Sequence, residues 1–404
     1  MRVRALSVGL ALLLTAPGAL APLPAHADEI RDRQWVLGKL GLPKTWKLTK
    51  GKRVTVAVLD TGVDPGHPDL VGKVTTGPDY TGHSTPADSP YWALHGTAMA
   101  GIIAGRGHGQ GRTGGVKGIA PAAKILSIRV TWENKDPARD KQKNRDLNKD
   151  AMAKAIRYAV DKGAGVINMS LGGGKADYTG SDVEKDAIDY ALSKGVVLVA
   201  SMGNDGAGQN RRNFPAAYDG VIAVGAVDRS FQPWGDSNHN PWISLAAPGV
   251  GIVTTQPDNA YATDDGTSAS AAIVAGVVAL LRARFPDLSP EQIRAALEKG
   301  TTHKPAAGRN DKVGAGVVHA WKAVRAANRI AKQTGSRIVP PDGRPTAQPG
   351  PAEEPVSPQA TPASADGHAA ESPILVFAIL GVGGVFVVSG LTLAWRTRRA
   401  RAGL

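Results

Sequence analysis

The sequence predicts an α/β domain: a doubly wound, mostly parallel sheet with helices on both faces in three layers. Two observations predict it. Several short runs are apolar and β-branched almost without interruption, and such strands belong in a parallel sheet covered on both sides. Segments of helical pattern lie between those runs, as crossover connections require. Composition supports the same reading. Of 404 residues, 42% are hydrophobic, enough for a sizeable core. There is no cysteine, which excludes a disulfide scaffold, a cysteine-bound metal and a thiol nucleophile.

The elements follow in chain order. The first strand is 54–60 (VTVAVLD), and further strands are 124–130 (KILSIRV), 166–171 (VINMSL), 196–201 (VVLVAS) and 221–227 (VIAVGAV). Helices are expected over 96–105, 150–162 and 182–194. A long apolar helix runs from Ser268 to Arg284 and stops before Pro286. Another opens at Ser289-Pro290-Glu291-Gln292, where Ser caps, Pro takes the first helical position and Gln completes a capping box. Residues 131–150 carry six basic and five acidic side chains and read as a solvated loop, with a substrate-contacting or a protease-sensitive loop as the minority alternatives.

Both ends read as addresses. Residues 1–27 have the parts of a signal peptide: Arg2 and Arg4, an apolar core, and the cleavage site Ala25-His26-Ala27. The globular part is 28–333. A Pro-rich linker follows over 334–373, with nine prolines between 340 and 373. Residues 374–395 are 22 uncharged residues, long enough for a transmembrane helix. The tail, 396–404, is basic, which places it in the cytoplasm and the globular part outside. Six of the thirteen net positive charges belong to the signal and the tail. The remainder is modest for such a length, so nucleic acid is not an expected partner.

Three segments place polar residues in apolar surroundings. Asp60-Thr61-Gly62-Val63-Asp64 stands at the carboxyl end of the first strand, where doubly wound sheets hold their sites. His95 opens a small-residue helix, and Gly266-Thr267-Ser268-Ala269-Ser270 sets Ser268 where a turn enters the apolar helix. A His within reach removes the proton of a serine hydroxyl, and a carboxylate fixes the His tautomer. Asn204, after the strand VVLVAS, could donate to an oxyanion together with the Ser268 backbone N–H.

AVLDTGVD, HGTAMAGIIAG, the SLG after VINM, the GN at 203–204 and GTSASAA resemble, in that order, the subtilisin-like serine peptidases (subtilases). The resemblance implies a seven-stranded parallel sheet, an Asp60, His95 and Ser268 triad, and an oxyanion hole made by Asn204 and Ser268. It also implies that Ser170, Leu171 and Gly172 pair with the substrate backbone by strand addition. The family usually has Ala two residues after the nucleophile and Pro four after; here these are Ser270 and Ala272. The signal, stalk, anchor and basic tail together resemble the mycosins, membrane-anchored subtilases associated with type VII secretion. Mycosins generally carry paired cysteines, and this chain has none.

The expected function is therefore a membrane-anchored extracellular serine endopeptidase that acts on a peptide or protein substrate. The alternatives are a largely non-catalytic scaffold of a secretion complex and a general surface protease. No cofactor is required for catalysis, and the metal content is open: structural calcium is a family habit without a matching ligand pattern here. His67, in a turn with proline on both sides, is expected to be a loop residue, and His83, His108, His239, His303 and His319 to be surface or structural residues. Asp64 is expected to serve a turn, Asn168 to hydrogen-bond at a strand end, and Asp264 and Asp265 to brace the Ser268 turn.

Overall fold

The computed structural model describes residues 27–82, 85–139, 141, 150–172 and 180–341. The signal peptide, His83, most of the Pro-rich linker, the transmembrane segment and the basic tail lie outside the described residues.

The strands are β1 (Thr55–Asp60), β2 (Val74–Asp79), β3 (Arg106–His108), β4 (Gly114–Lys117), β5 (Lys124–Arg129), β6 (Val166–Met169), β7 (Val197–Ser201), β8 (Ile222–Val227), β9 (Leu245–Pro248), β10 (Ile252–Gln256) and β11 (Ala260–Asp264). Seven form one sheet in the order β2-β5-β1-β6-β7-β8-β9. Every pairing in it is parallel, with Asp60 opposite Arg129 and Val58 opposite Asn168. The hairpins β3–β4 and β10–β11 are antiparallel. β1 lies between β5 and β6, so its carboxyl end opens into the crevice where the strand order turns.

The alternation along β1 shows why its sequence is apolar on both faces. Val56 and Val58 enter one core layer, packed with the helices Leu94–Ala104 and Thr267–Arg284. Ala57 and Leu59 enter the other, with the helices Ala151–Asp161 and Asp182–Ser193. This is a covered parallel sheet, as expected. The helix Thr267–Arg284 is apolar and long enough to cross a membrane by composition alone, but it is 78% buried in this core. The capping box at the helix Pro290–Lys299 forms as the sequence predicts: Gln292 N–H donates to Ser289 Oγ, and Ser289 N–H to Gln292 Oε1.

Three elements differ from the expectation. β2 (VTTGPD) is a sheet edge with exposed side chains, so it lacks an apolar run. β9 is only LAAP. The helix Ala320–Thr334 buries Ala323, Val324, Ala327, Ile330 and Ala331, a helical spacing weakened by the small size of alanine. The charged segment also departs from a purely solvated loop. Trp132, Glu133 and Asp136 at its start are all buried.

Candidate active site

β1 delivers Asp60 to the crevice with its side chain fully buried. A buried carboxylate needs donors, and two arrive. Thr61 N–H donates to Asp60 Oδ1 at 2.8 Å, and His95 Nδ1 lies 2.8 and 2.9 Å from the two carboxylate oxygens. An ionised carboxylate only accepts, so Nδ1 carries the proton in this pair. Nε2 is then the atom free to take or give one.

His95 sits in the first turn of the helix Leu94–Ala104. First-turn N–H groups lack intrahelical acceptors, and side chains from elsewhere supply them here. His95 N–H donates to Glu133 Oε1 at 2.9 Å, and Gly96 N–H to Thr61 Oγ1 at 3.1 Å. The helix approaches the Asp60 turn so closely that a Cβ on Gly96 would lie 1.9 Å from Gly62 O. Only glycine allows this contact.

Burial opposes a charge on the imidazole. The adjacent Asp60 carboxylate outweighs it, with smaller help from Asp264 and Glu133, and pushes the His95 pKa up to about 9. Burial pushes the Asp264 carboxyl up as well, against the pull of His95. Asp264 is thus part of the electrostatic surroundings of His95, not simply a brace for the Ser268 turn. Asp265 does brace that region: its Oδ1 accepts Gly251 N–H at 2.6 Å.

Ser268 is half-buried at the second position of the helix Thr267–Arg284. Its Oγ donates to Ser170 O at 3.1 Å, and Ser170 Oγ returns a bond to Ser268 O at 2.9 Å. Asn168 Nδ2 donates to Ser170 Oγ at 2.8 Å, the strand-end role expected of it. Ser268 and His95 both face this site without a hydrogen bond between them. Protonated imidazole has no lone pair at Nε2 to accept the serine proton. The raised pKa of His95 and the turn of Ser268 toward Ser170 are therefore consistent with each other.

Asn204 follows β7 and is exposed. Thr267 fixes its amide: Thr267 N–H and Oγ1–H both donate to Asn204 Oδ1, at 2.9 and 2.7 Å. Thr267 Oγ1 in turn accepts Gly203 N–H at 3.1 Å. With Oδ1 so occupied, Nδ2 is the end of the amide left to donate. A Cβ on Gly266 would come within 3.1 Å of that nitrogen. The Ser268 N–H, in the first helical turn, is a second donor nearby.

The segment expected to pair with substrate adjoins this cluster through the Ser170–Ser268 bonds. Ser170 is buried, Leu171 half-buried and Gly172 exposed. Leu171 O accepts a bond from Ser201 Oγ at 3.3 Å. Sequence reasoning missed two residues of the site, Thr267 and Glu133. Thr267 stands directly before Ser268, which was signal enough. Glu133 lies in a charge-rich run, whose reading as a solvated loop hides the buried carboxylates within it.

The remaining expectations divide. Asp64 Oδ1 accepts Gly66 N–H in a turn, as expected. His319 caps the helix Ala320–Thr334, and His303 stacks on Phe231. His67 is fully buried: its Nε2–H donates to Ala260 O, and its Nδ1 accepts Asp69 N–H. His108 pairs with the buried Asp69 at 2.7 Å. Ser270 Oγ donates to Ala247 O at 3.0 Å and Pro248 O at 3.2 Å, which accommodates the hydroxyl in the core. Among the described residues no three His, Asp or Glu side chains converge as a metal cluster.

Comparison with known proteins identifies the family of the fold. The subtilase family model matches residues 51–316. Fervidolysin of Fervidobacterium pennivorans is 38% identical over 308 residues; the match covers 70% of this chain and 42% of that protein. Mycosin-4 of Mycobacterium tuberculosis is 33% identical over 396 residues, covering 90% of this chain and 81% of the mycosin. The crystal structure of MycP1 from the ESX-1 type VII secretion system superimposes with a TM-score of 0.61 at 29% identity, over 75% of this chain and 88% of that one.

Proposed function

The chain belongs to the subtilase family as a mycosin-like serine endopeptidase, and from that premise we propose that it cleaves peptide bonds through a Ser268 acyl-enzyme. The observation that carries the residue assignment is the pairing of half-buried His95 with fully buried Asp60, 2.8 Å apart at the carboxyl end of β1. In the first step His95 Nε2 takes the Ser268 Oγ proton as Oγ bonds to the scissile carbonyl carbon. Asp60 holds Nδ1–H and stabilises the imidazolium. Negative charge moves to the carbonyl oxygen, where Asn204 Nδ2–H and the Ser268 N–H receive it. His95 then gives its proton to the departing amine. Water repeats the sequence on the acyl-enzyme, releasing the acid and restoring Ser268. Ser170, Leu171 and Gly172 would pair with the substrate backbone, a mode nearly indifferent to side-chain sequence.

The sequence at both ends supports a wider reading: secretion by residues 1–27, a stalk over 334–373, and anchorage by residues 374–395 with the catalytic domain outside the cell. The likeness to MycP1 supports a partner in type VII secretion machinery. A fluorophosphonate probe tests the chemistry. It should label the full chain and Asp64→Asn but not Ser268→Ala; labelling of folded Ser268→Ala would end the assignment. Secretion in a deletion strain tests the wider role. Full rescue by Ser268→Ala would favour a scaffold over catalysis.

A further inference from the structure

Asn168 is fully buried in β6, with Val58 of β1 and Val199 of β7 as its register partners. Both valines enter the core layer of the Thr267–Arg284 helix, while Ile167 and Met169 on either side of Asn168 enter the opposite layer. By the alternation of a strand, the Asn168 amide faces the same layer as the valines. A valine would suit that place. A buried amide there costs free energy unless its polar atoms are paired. Nδ2 donates to Ser170 Oγ at 2.8 Å, but among the described residues Oδ1 is buried without a hydrogen-bond partner. The packing of the sheet gives no reason for this residue.

The direction of its hydrogen bond gives one. A serine hydroxyl has a single proton to donate. Ser170 Oγ–H donates it to Ser268 O at 2.9 Å, so toward Asn168 the same oxygen can only accept. The relay therefore runs one way, from Asn168 Nδ2–H to Ser170 Oγ–H to Ser268 O. Ser268 Oγ also donates to Ser170 O, at 3.1 Å. That bond must break in the proposed reaction, because Oγ has to leave Ser170 O to give its proton to His95. The bond to Ser268 O need not break. It holds the backbone of residue 268 while the side chain turns, and the Ser268 N–H lies across the same Cα.

We propose that Asn168 is a positioning residue of the oxyanion site, acting through Ser170 Oγ on the backbone of Ser268. The proposal rests on the Ser268 acyl-enzyme reading and adds to it a residue that touches neither substrate nor reacting atoms. Its effect falls on the transition state, where the carbonyl oxygen becomes an anion and its donors must hold their places closely. An interaction that strengthens only at that stage changes kcat and leaves KM alone.

The test is a double-mutant cycle on the full chain with Asn168→Val, Ser170→Ala and the two together, assayed on a chromogenic peptide at pH 9. Active sites are counted by the endpoint of fluorophosphonate labelling, so kcat refers to folded enzyme alone. Valine matches the sheet neighbours, so Asn168→Val should melt no lower than the parent, yet its kcat should fall about fivefold at unchanged KM, the worth of one hydrogen bond. Ser170→Ala should lose as much, and the double variant no more, since both changes break one relay. Asn168→Asp should lose as much as Asn168→Val, because its carboxylate accepts and draws the Ser170 proton away from Ser268 O. Parent-like kcat in Asn168→Val, or losses that multiply in the double variant, would overturn the proposal. Failure of the parent chain itself to label at Ser268 would instead overturn the acyl-enzyme reading beneath it.

Discussion

Raising the pH should switch this enzyme on over an unusually basic range. The base in the proposed mechanism is neutral His95, and Asp60, Asp264 and Glu133 push its pKa up to about 9. At pH 7 about one imidazole in a hundred is then neutral, and at pH 9 about half are. The ratio kcat/KM should therefore climb about 50-fold between these values, because it follows the protonation of the free enzyme. An imidazole near its ordinary pKa of about 6.5 would give less than a twofold rise. The assay is kcat/KM on a chromogenic peptide between pH 6 and 10, with a titrant that does not ionise in that window. The variant Glu133→Gln keeps an oxygen for the His95 N–H and loses the charge. Its limb should move toward acid. A plateau reached by pH 7.5 in the parent enzyme, or a limb unmoved in Glu133→Gln, would refute the electrostatic reasoning.

The same proton links to stability. The folded pKa of His95 lies above its unfolded value, so the pairing stabilises fully below about pH 6.5 and is lost as the pH rises through about 9. At about 1.36 kcal/mol per pKa unit, that is about 3 kcal/mol, and denaturant melts of His95→Gln against the parent should differ at pH 6 and converge near pH 10. Asn204→Leu should lower kcat about 10²–10³-fold with little change in KM, a magnitude carried over from subtilisin, and steady-state kinetics would show it. Thr267→Val removes the hydroxyl bond to Asn204 Oδ1 but keeps the backbone bond; the freed amide should lower kcat less than Asn204→Leu does. Ser270→Ala strips a donor from two buried carbonyls and should cost about 1 kcal/mol in chemical denaturation.

Much of the site was legible because its chemistry needs residue types that the surrounding fold does not. Asp60 at the end of an apolar strand, His95 at a helix start and Ser268 before an apolar helix each contradict their neighbours. The strands buried on both faces were legible for the same reason. β2 and β9 were not, since an exposed edge and a four-residue strand have no apolar run to show. Glu133 was hidden differently. Its partner is a backbone N–H 38 residues away, and long-range pairing leaves no periodic trace. The same holds for the Ser170–Ser268 exchange, 98 residues apart in sequence.

The contact between Gly96 and Gly62 leaves no room for a single methyl group. Asp60 and His95 are separated in sequence by 35 residues, yet this joint makes them one heritable unit. A side chain gained at position 96 would have to be answered by retreat of the Gly62 turn, and that retreat would carry Asp60 away from the imidazole. Variation can therefore accumulate in the surface loops around the site while this crossing stays closed to it. In a library of random variants, position 96 should be among the least permissive in the chain, even though its residue takes no part in the chemistry.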